Sequence, residues 1–150
     1  MSYSALRIGR YSEQQRAYFI TTVLAERKQR YFADFSCARC VVKEMRALHD
    51  DETVASLAWV IMPDHVHWLF QLGEGANLSI AVKRFKARSA RRVNDHLNRQ
   101  GTLWQKAYYD HAVRKEEDIQ GIARYIMANP LRAGLVEHIG DYPLWGAIWL

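Results

Sequence analysis

The chain has 150 residues, 49% of them hydrophobic, which suits one domain with a buried core and leaves a second domain without room. No run of about 18 uncharged apolar residues occurs, and residues 1–10 lack an apolar signal core, so the expectation is a cytoplasmic protein that neither spans a membrane nor is secreted. With 21 Lys plus Arg against 16 Asp plus Glu, the formal charge is +5 and the pI about 9.4, which points toward a polyanionic partner.

Residues 1–16 are polar, carry Arg7, Arg10 and Arg16, and contain Gly9 as a breaker; they read as an irregular basic arm. Tyr18 to Leu24 is aromatic and β-branched, the composition of a strand, and it stops at the charged run Glu26-Arg27-Lys28. From about Asp34 to Leu48, Cys37, Val41, Met45 and Leu48 recur at spacings of four, four and three, the mark of one buried helical face, with Asp34 or Ser36 as its cap. Cys37 and Cys40 form a C-x-x-C. A four-thiolate zinc site needs two more cysteines and a redox pair opens a helix after a strand, so both read as reduced cysteines on this helix. Val54 to Met62 is a second strand, stopped by the turn pair Pro63-Asp64, and another strand follows at once, so the two form an antiparallel hairpin.

After Gly73 and Gly75, Leu78, Val82, Phe85, Val93 and Leu97 mark a long amphipathic helix to about Asn98. Its basic residues are Lys83, Arg84, Lys86, Arg88, Arg91 and Arg92, and Arg84, Arg88, Arg91 and Arg92 fall on one side. A solvated face is one reading; because like charges repel, contact with phosphates is the other, and Lys83 and these arginines are the candidates for it. Gly101 to Lys106 is a loop, and Tyr108 to Val113 a fourth strand. Glu116-Glu117-Asp118 suits the first turn of a last helix, Ile119, Ile122 and Ile126 its apolar stripe, and Pro130 its end. Residues 137–150 form a packed tail of the same single domain.

Strand, helix, strand, strand, helix, strand, helix is the order of a ferredoxin-like βαββαβ sandwich. In this α+β fold helices cover one face of a four-stranded antiparallel sheet, and the additional C-terminal helix is left for the other face. The third strand puts Val66, Trp68, Phe70 and Leu72 on one face and His65, His67, Leu69 and Gln71 on the other, because side chains alternate. The apolar face must meet a core, so the two imidazoles stand side by side on the opposite one, about 6 to 7 Å apart along the strand. On its own this stretch reads first as histidines facing solvent on an edge strand, because short histidine motifs match by chance, and only second as a pair that shares a metal ion. On the last helix Tyr125 and Asn129 are four apart and project from one side, outside the isoleucine stripe.

These residues resemble a known family. His65-Val66-His67, after Val60-Ile61-Met62-Pro63-Asp64, resembles the histidine-hydrophobe-histidine motif of the single-tyrosine HUH transposases. The segment from Arg124 to Val136, RYIMANPLRAGLV, resembles their nucleophile helix in the version carried by REP-associated tyrosine transposases, and Trp104 to His111 is similar to the segment between. The resemblance runs from about Tyr18 to Trp145. It implies His65 and His67 as metal ligands, Asn129 as the third, Tyr125 as nucleophile, magnesium or manganese as the ion, and single-stranded DNA with hairpins as substrate. The implied activity is cleavage and rejoining through a 5′-phosphotyrosine, which conserves the bond energy for a later hydroxyl to use. Asn129 stands where some relatives carry the longer glutamine and directly precedes Pro130, so Gln71, Asp64 and His111 are alternative ligands. Tyr108 and Tyr109 are rival nucleophiles, although neither has an amide partner at helical spacing.

On this reading the basic helix and the arm with Arg7 and Arg10 hold DNA. Two other classes fit the residues: a ferredoxin-like nucleic-acid-binding module without chemistry, and a metal-dependent hydrolase that activates water. A homodimer, with each tyrosine serving its own or its partner's metal site, is compatible with all of this.

Overall fold

Strand β3 (His65–Leu72) has apolar side chains on both faces, so it must lie inside a sheet that is covered on both sides. The computed structural model, which describes residues 17–114 and 116–148, shows how. Strands β1 (Ala17–Val23), β2 (Val54–Met62), β4 (Tyr109–Val113) and β5 (Trp145–Ala147) join β3 in one antiparallel sheet, in the order β4-β1-β3-β2-β5. Its first four strands have the ferredoxin-like arrangement that the element order predicts.

The fifth strand corrects the expected four. Ala147 and Trp145 pair with Ala58 and Val60 on the free edge of β2. A three-residue strand is too short to show alternation, and only the open edge of β2 makes it one. The tail is fastened nearby by the Tyr142 hydroxyl, which donates to the Ile61 carbonyl at 2.5 Å.

Helices α1 (Phe35–Asp50) and α2 (Leu78–Leu97) cover one face. Asp34 Oδ1 caps α1 by accepting from Ser36 N at 3.1 Å, and Asn77 Oδ1 caps α2 by accepting from Ile80 N at 3.2 Å. Their apolar stripes, with Val41, Met45, Val82 and Phe85, close over Val66, Trp68 and Phe70. Helix α3 (Glu116–Arg132) crosses the other face, where Ile119, Ala123 and Ile126 pack on Ala17, Val60 and Leu69. Both imidazoles are on this second face.

The helix does not stop before Pro130. It runs through the proline to Arg132, although Pro130 has no N–H for the Ile126 carbonyl. The true stop is a Schellman motif: Leu135 N donates to Pro130 O at 3.0 Å and Gly134 N to Leu131 O at 3.0 Å, with Gly134 left-handed at φ 74°. Pro130 itself is buried. Among the described residues no helix is long and apolar enough to cross a membrane. Arg7, Arg10 and the rest of the predicted arm lie outside the described residues.

Candidate active site

The register of β1 against β3 sets Thr21 opposite His67 and Val23 opposite His65. Thr21 Oγ1 hydrogen-bonds His67 Nδ1 at 2.8 Å. Asp64, in the tight turn before β3, accepts from His65 Nδ1 at 2.7 Å, and its other oxygen accepts from Arg27 Nε at 2.8 Å. Each Nδ1 is therefore occupied, which leaves each Nε2 as the free ring nitrogen. The two rings stand edge to face with centroids 4.7 Å apart, closer than the strand repeat alone predicts, because they lean together.

Burial, then the proximity of His65 and Arg132, pushes the His67 pKa down to about 3, so its imidazole is neutral at ordinary pH. For the Asp64 carboxyl, burial acts upward, but the hydrogen bonds from His65 and Arg27 outweigh it and hold the pKa below the usual carboxylate value. A neutral His67 imidazole, fixed through Nδ1 by Thr21, and a His65 ring fixed through Nδ1 by Asp64 present their Nε2 atoms in the way that divalent cations take imidazole. Among the described residues no cluster of three or more His, Cys, Asp or Glu side chains is placed to hold a metal. The donor set here fits one differently, as two imidazoles completed by amide, phosphate or water oxygen.

Helix α3 delivers Tyr125 to the same place. Its ring centroid is 6.1 Å from that of His67 and 6.3 Å from that of Phe19, and it is 50% exposed, so a phenol sits at the pair with access to solvent. Arg132, two turns on, folds back toward the helix N-terminus: its guanidinium lies 4.0 Å from the Tyr125 ring centroid, and Nη2 donates to the Tyr125 carbonyl at 2.7 Å. Ala133 N donates to Asn129 O at 2.9 Å, which continues the helical ladder, and Ala133 lines a cleft with His65. Tyr125, Asn129 and Ala133 thus share one stripe, with Asn129 between the turn beside His67 and the turn beside His65.

Of the alternative ligands, Asp64 touches the pair directly, through His65 Nδ1. Gln71 is 2% exposed further along β3, and His111 lines an apolar cleft with Phe19, Ile122 and Tyr125. Tyr109 is 69% exposed on β4; Tyr108, whose pKa burial raises, stands beside the Lys86 ammonium at 5.8 Å.

Lys83, Arg84, Arg88, Arg91 and Arg92 are not brought to this centre, since α2 covers the opposite face of the sheet. Arg84 Nη1 donates to Thr53 Oγ1 at 3.3 Å. Arg92 Nε pairs at 2.6 Å with Glu44, a carboxylate 6% exposed, so its charge is already matched. Cys37 and Cys40 are free, buried thiols on α1, as their helical spacing predicts. Sequence reasoning missed Thr21, Phe19 and Arg132 as parts of the site. Spacing offered one signal: Arg132 is seven residues after Tyr125, two turns along one helix face.

A ferredoxin-like sheet with a His-Val-His strand inside it and a half-exposed tyrosine on the helix crossing that strand is the architecture of single-tyrosine transposases. Residues 13–129 match the family described as IS200-like transposases, and the chain belongs to that family. It is 31% identical over 137 residues to a Haemophilus influenzae protein assigned as a REP-associated tyrosine transposase, covering 84% of this chain and 76% of that one. It is 29% identical over 86 residues to the REP-associated tyrosine transposase of Escherichia coli, covering 57% of this chain and 50% of the relative. A solved structure of a REP-associated tyrosine transposase bound to a REP hairpin superposes with a TM-score of 0.70 at 26% identity, covering 91% of this chain and 79% of the other.

Proposed function

We propose that this transposase is a metal-dependent endonuclease that cleaves and rejoins single-stranded DNA near hairpins, with Tyr125 as nucleophile. The observation that carries the reading is the half-exposed Tyr125 ring 6.1 Å from the ring of His67, whose Nδ1 is tied to Thr21 and whose Nε2 is free. His65 and His67 would hold the ion through Nε2, with Asn129 as the third protein ligand. Magnesium or manganese, when bound, supplies polarisation of the scissile phosphate and offsets charge on the leaving oxygen.

The residues of the chain do the rest. The Tyr125 oxygen bonds to phosphorus as the bond to the 3′ oxygen breaks; the phenol gives up its proton, the 3′ oxygen takes one up, and the 5′ phosphate stays on the protein. Arg132 holds the ring by stacking and keeps a positive charge beside the phosphate oxygens. Reversal of the step, with another strand's 3′-OH as attacker, rejoins DNA. Lys83, Arg84, Arg88 and Arg91, across the sheet from the site, would serve a flanking hairpin stem, as would Arg7 and Arg10, with Arg92 the weakest candidate because of Glu44.

The test is a labelled single-stranded oligonucleotide pool containing hairpins, incubated with manganese and resolved on a denaturing gel. A covalent adduct mapping to Tyr125 by mass spectrometry, and absent in Tyr125→Phe, is the expected result. Cleavage that survives Tyr125→Phe without an adduct means a water-using nuclease. Metal-independent binding without turnover means a binding module.

A further inference from the structure

The charge that sequence reading assigned to helix α2 lies across the sheet from His65 and His67, yet a phosphodiester cut there needs cations within reach. Besides Arg132, further cations stand close to His65 on a different element. Between β1 and α1 the chain makes two short 3-10 turns, Arg27–Gln29 and Tyr31–Ala33. Arg27, Lys28 and Arg30 of this segment line an open cleft of about 540 Å³, whose wall begins at Asp64 and His65 and whose far side is closed by Ala133 and Leu135, beyond α3. The cleft is thus continuous with the candidate metal ligands and with the C-terminal end of the helix that carries Tyr125.

Its charge is uncompensated. Asp64 is the only acid in the lining, and both of its oxygens are engaged, one by His65 and one by Arg27. Lys28 and Arg30 are exposed, and no ion pair among the described residues includes either of them. The segment is also held in place. Leu24 N donates to Asp64 O at 2.9 Å and Phe32 N to Pro63 O at 3.1 Å, while Phe32 is buried to 1% exposure. Arg30 is left-handed at φ 48°, a conformation unfavourable for a residue with a Cβ, and it sits where the two 3-10 turns join.

We infer that the cleft between this segment and Leu135 binds the sugar-phosphate backbone of the single strand next to the scissile phosphate, with Lys28 and Arg30 as its phosphate contacts. This rests on the Tyr125 reading and adds where the strand runs. Two cations spread along a chain segment suit successive phosphates of a strand, and the apolar side of the cleft, with Leu135 37% exposed, suits sugar or base. Arg27 acts differently: committed to Asp64, it is a positioning residue for His65.

The experiment measures binding of a homopolymeric thymidine oligonucleotide against salt, without metal, for the wild type, Lys28→Ala/Arg30→Ala and Lys43→Ala/Arg46→Ala. The last removes the same charge from α1 on the opposite layer. Each phosphate contact on a single strand contributes about 0.7 to the slope of log affinity against log salt. The expected result is a slope smaller by about 1.4 in Lys28→Ala/Arg30→Ala only. An unchanged slope there, or an equal loss in Lys43→Ala/Arg46→Ala, overturns the inference. Because no cleavage is read, a failed Tyr125 reading shows itself separately, in the adduct assay. Replacing single phosphates of a cleavable strand by neutral methylphosphonates then locates the contact: the wild type should lose affinity at positions beside the scissile phosphate and Lys28→Ala/Arg30→Ala should not. Equal losses in both proteins reject the placement.

Discussion

Replacing Thr21 by valine exchanges one hydroxyl for a methyl at the point where β1 touches the histidine pair. Valine fits a strand as well as threonine does, so the pairing of Thr21 with His67 and Tyr109 is retained. What is lost is the 2.8 Å bond to His67 Nδ1, in a ring enclosed by His65 at 4.7 Å, Phe19 at 5.4 Å and Tyr125 at 6.1 Å. A buried polar atom left without its partner costs about 1–3 kcal/mol, and because Thr21 and His67 keep partial access to water the lower end applies, about 1 kcal/mol. For a chain of this length that lowers Tm by about 2–4 °C. The larger effect is on metal: with the ring free to rotate or change tautomer, affinity should fall about 10–100-fold. Calorimetric titration with manganese measures it, with His67→Ala as the complete loss. Wild-type manganese affinity in Thr21→Val would refute the argument that this hydroxyl fixes the ligand nitrogen.

Other substitutions probe separate parts of the molecule. Arg132→Ala removes the guanidinium 4.0 Å from the Tyr125 ring centroid; adduct formation should slow about tenfold, equivalent to about 1.4 kcal/mol, while manganese affinity does not fall, since a cation near His67 is removed. A rate equal to wild type would leave Arg132 without a role in positioning the phenol. Arg92→Ala strands the Glu44 carboxylate, 6% exposed, and with Arg92 itself half exposed the loss is about 1–2 kcal/mol, read as a fall in Tm that Arg91→Ala should not share. Burial first, then the neighbouring Cys40 and Asp34, pushes the Cys37 thiol up to about 12 from 9.0, so the folded protein should resist alkylation by iodoacetamide until it unfolds. The sign for stability follows: between pH 9 and 12 the unfolded thiol loses its proton while the folded one keeps it. Stability falls as pH rises through that window, and Cys37→Ala should flatten this part of the curve.

Asp64 links the chemistry to the surface. Its carboxylate lies between the Arg27 guanidinium and the His65 ring, so it ties the 27–30 segment to the orientation of that imidazole. Tyr125 and Arg132 form the corresponding pair on the helix, and both pairs meet at the two imidazoles.

The sequence by itself determined whatever has a local period. Alternation along His65 to Leu72 put both imidazoles on one face, and a spacing of four put Tyr125 and Asn129 on one side of a helix, because periods of two and 3.6 residues are properties of the backbone. The order of elements likewise yields the ferredoxin-like sheet. Only the tertiary structure decided what depends on register and crossing: that Thr21 reaches His67, that α3 lays Tyr125 beside the same ring, and that Arg27 to Arg30 stand at His65 while the arginines of α2 lie across the sheet. It also decided that Trp145 to Ala147 pair as a fifth strand and that α3 continues through Pro130. In each of these a weak or contrary local signal is outweighed by a partner distant in sequence: a free sheet edge for β5, and the packing of α3 across the sheet for Pro130. No local pattern carries that information.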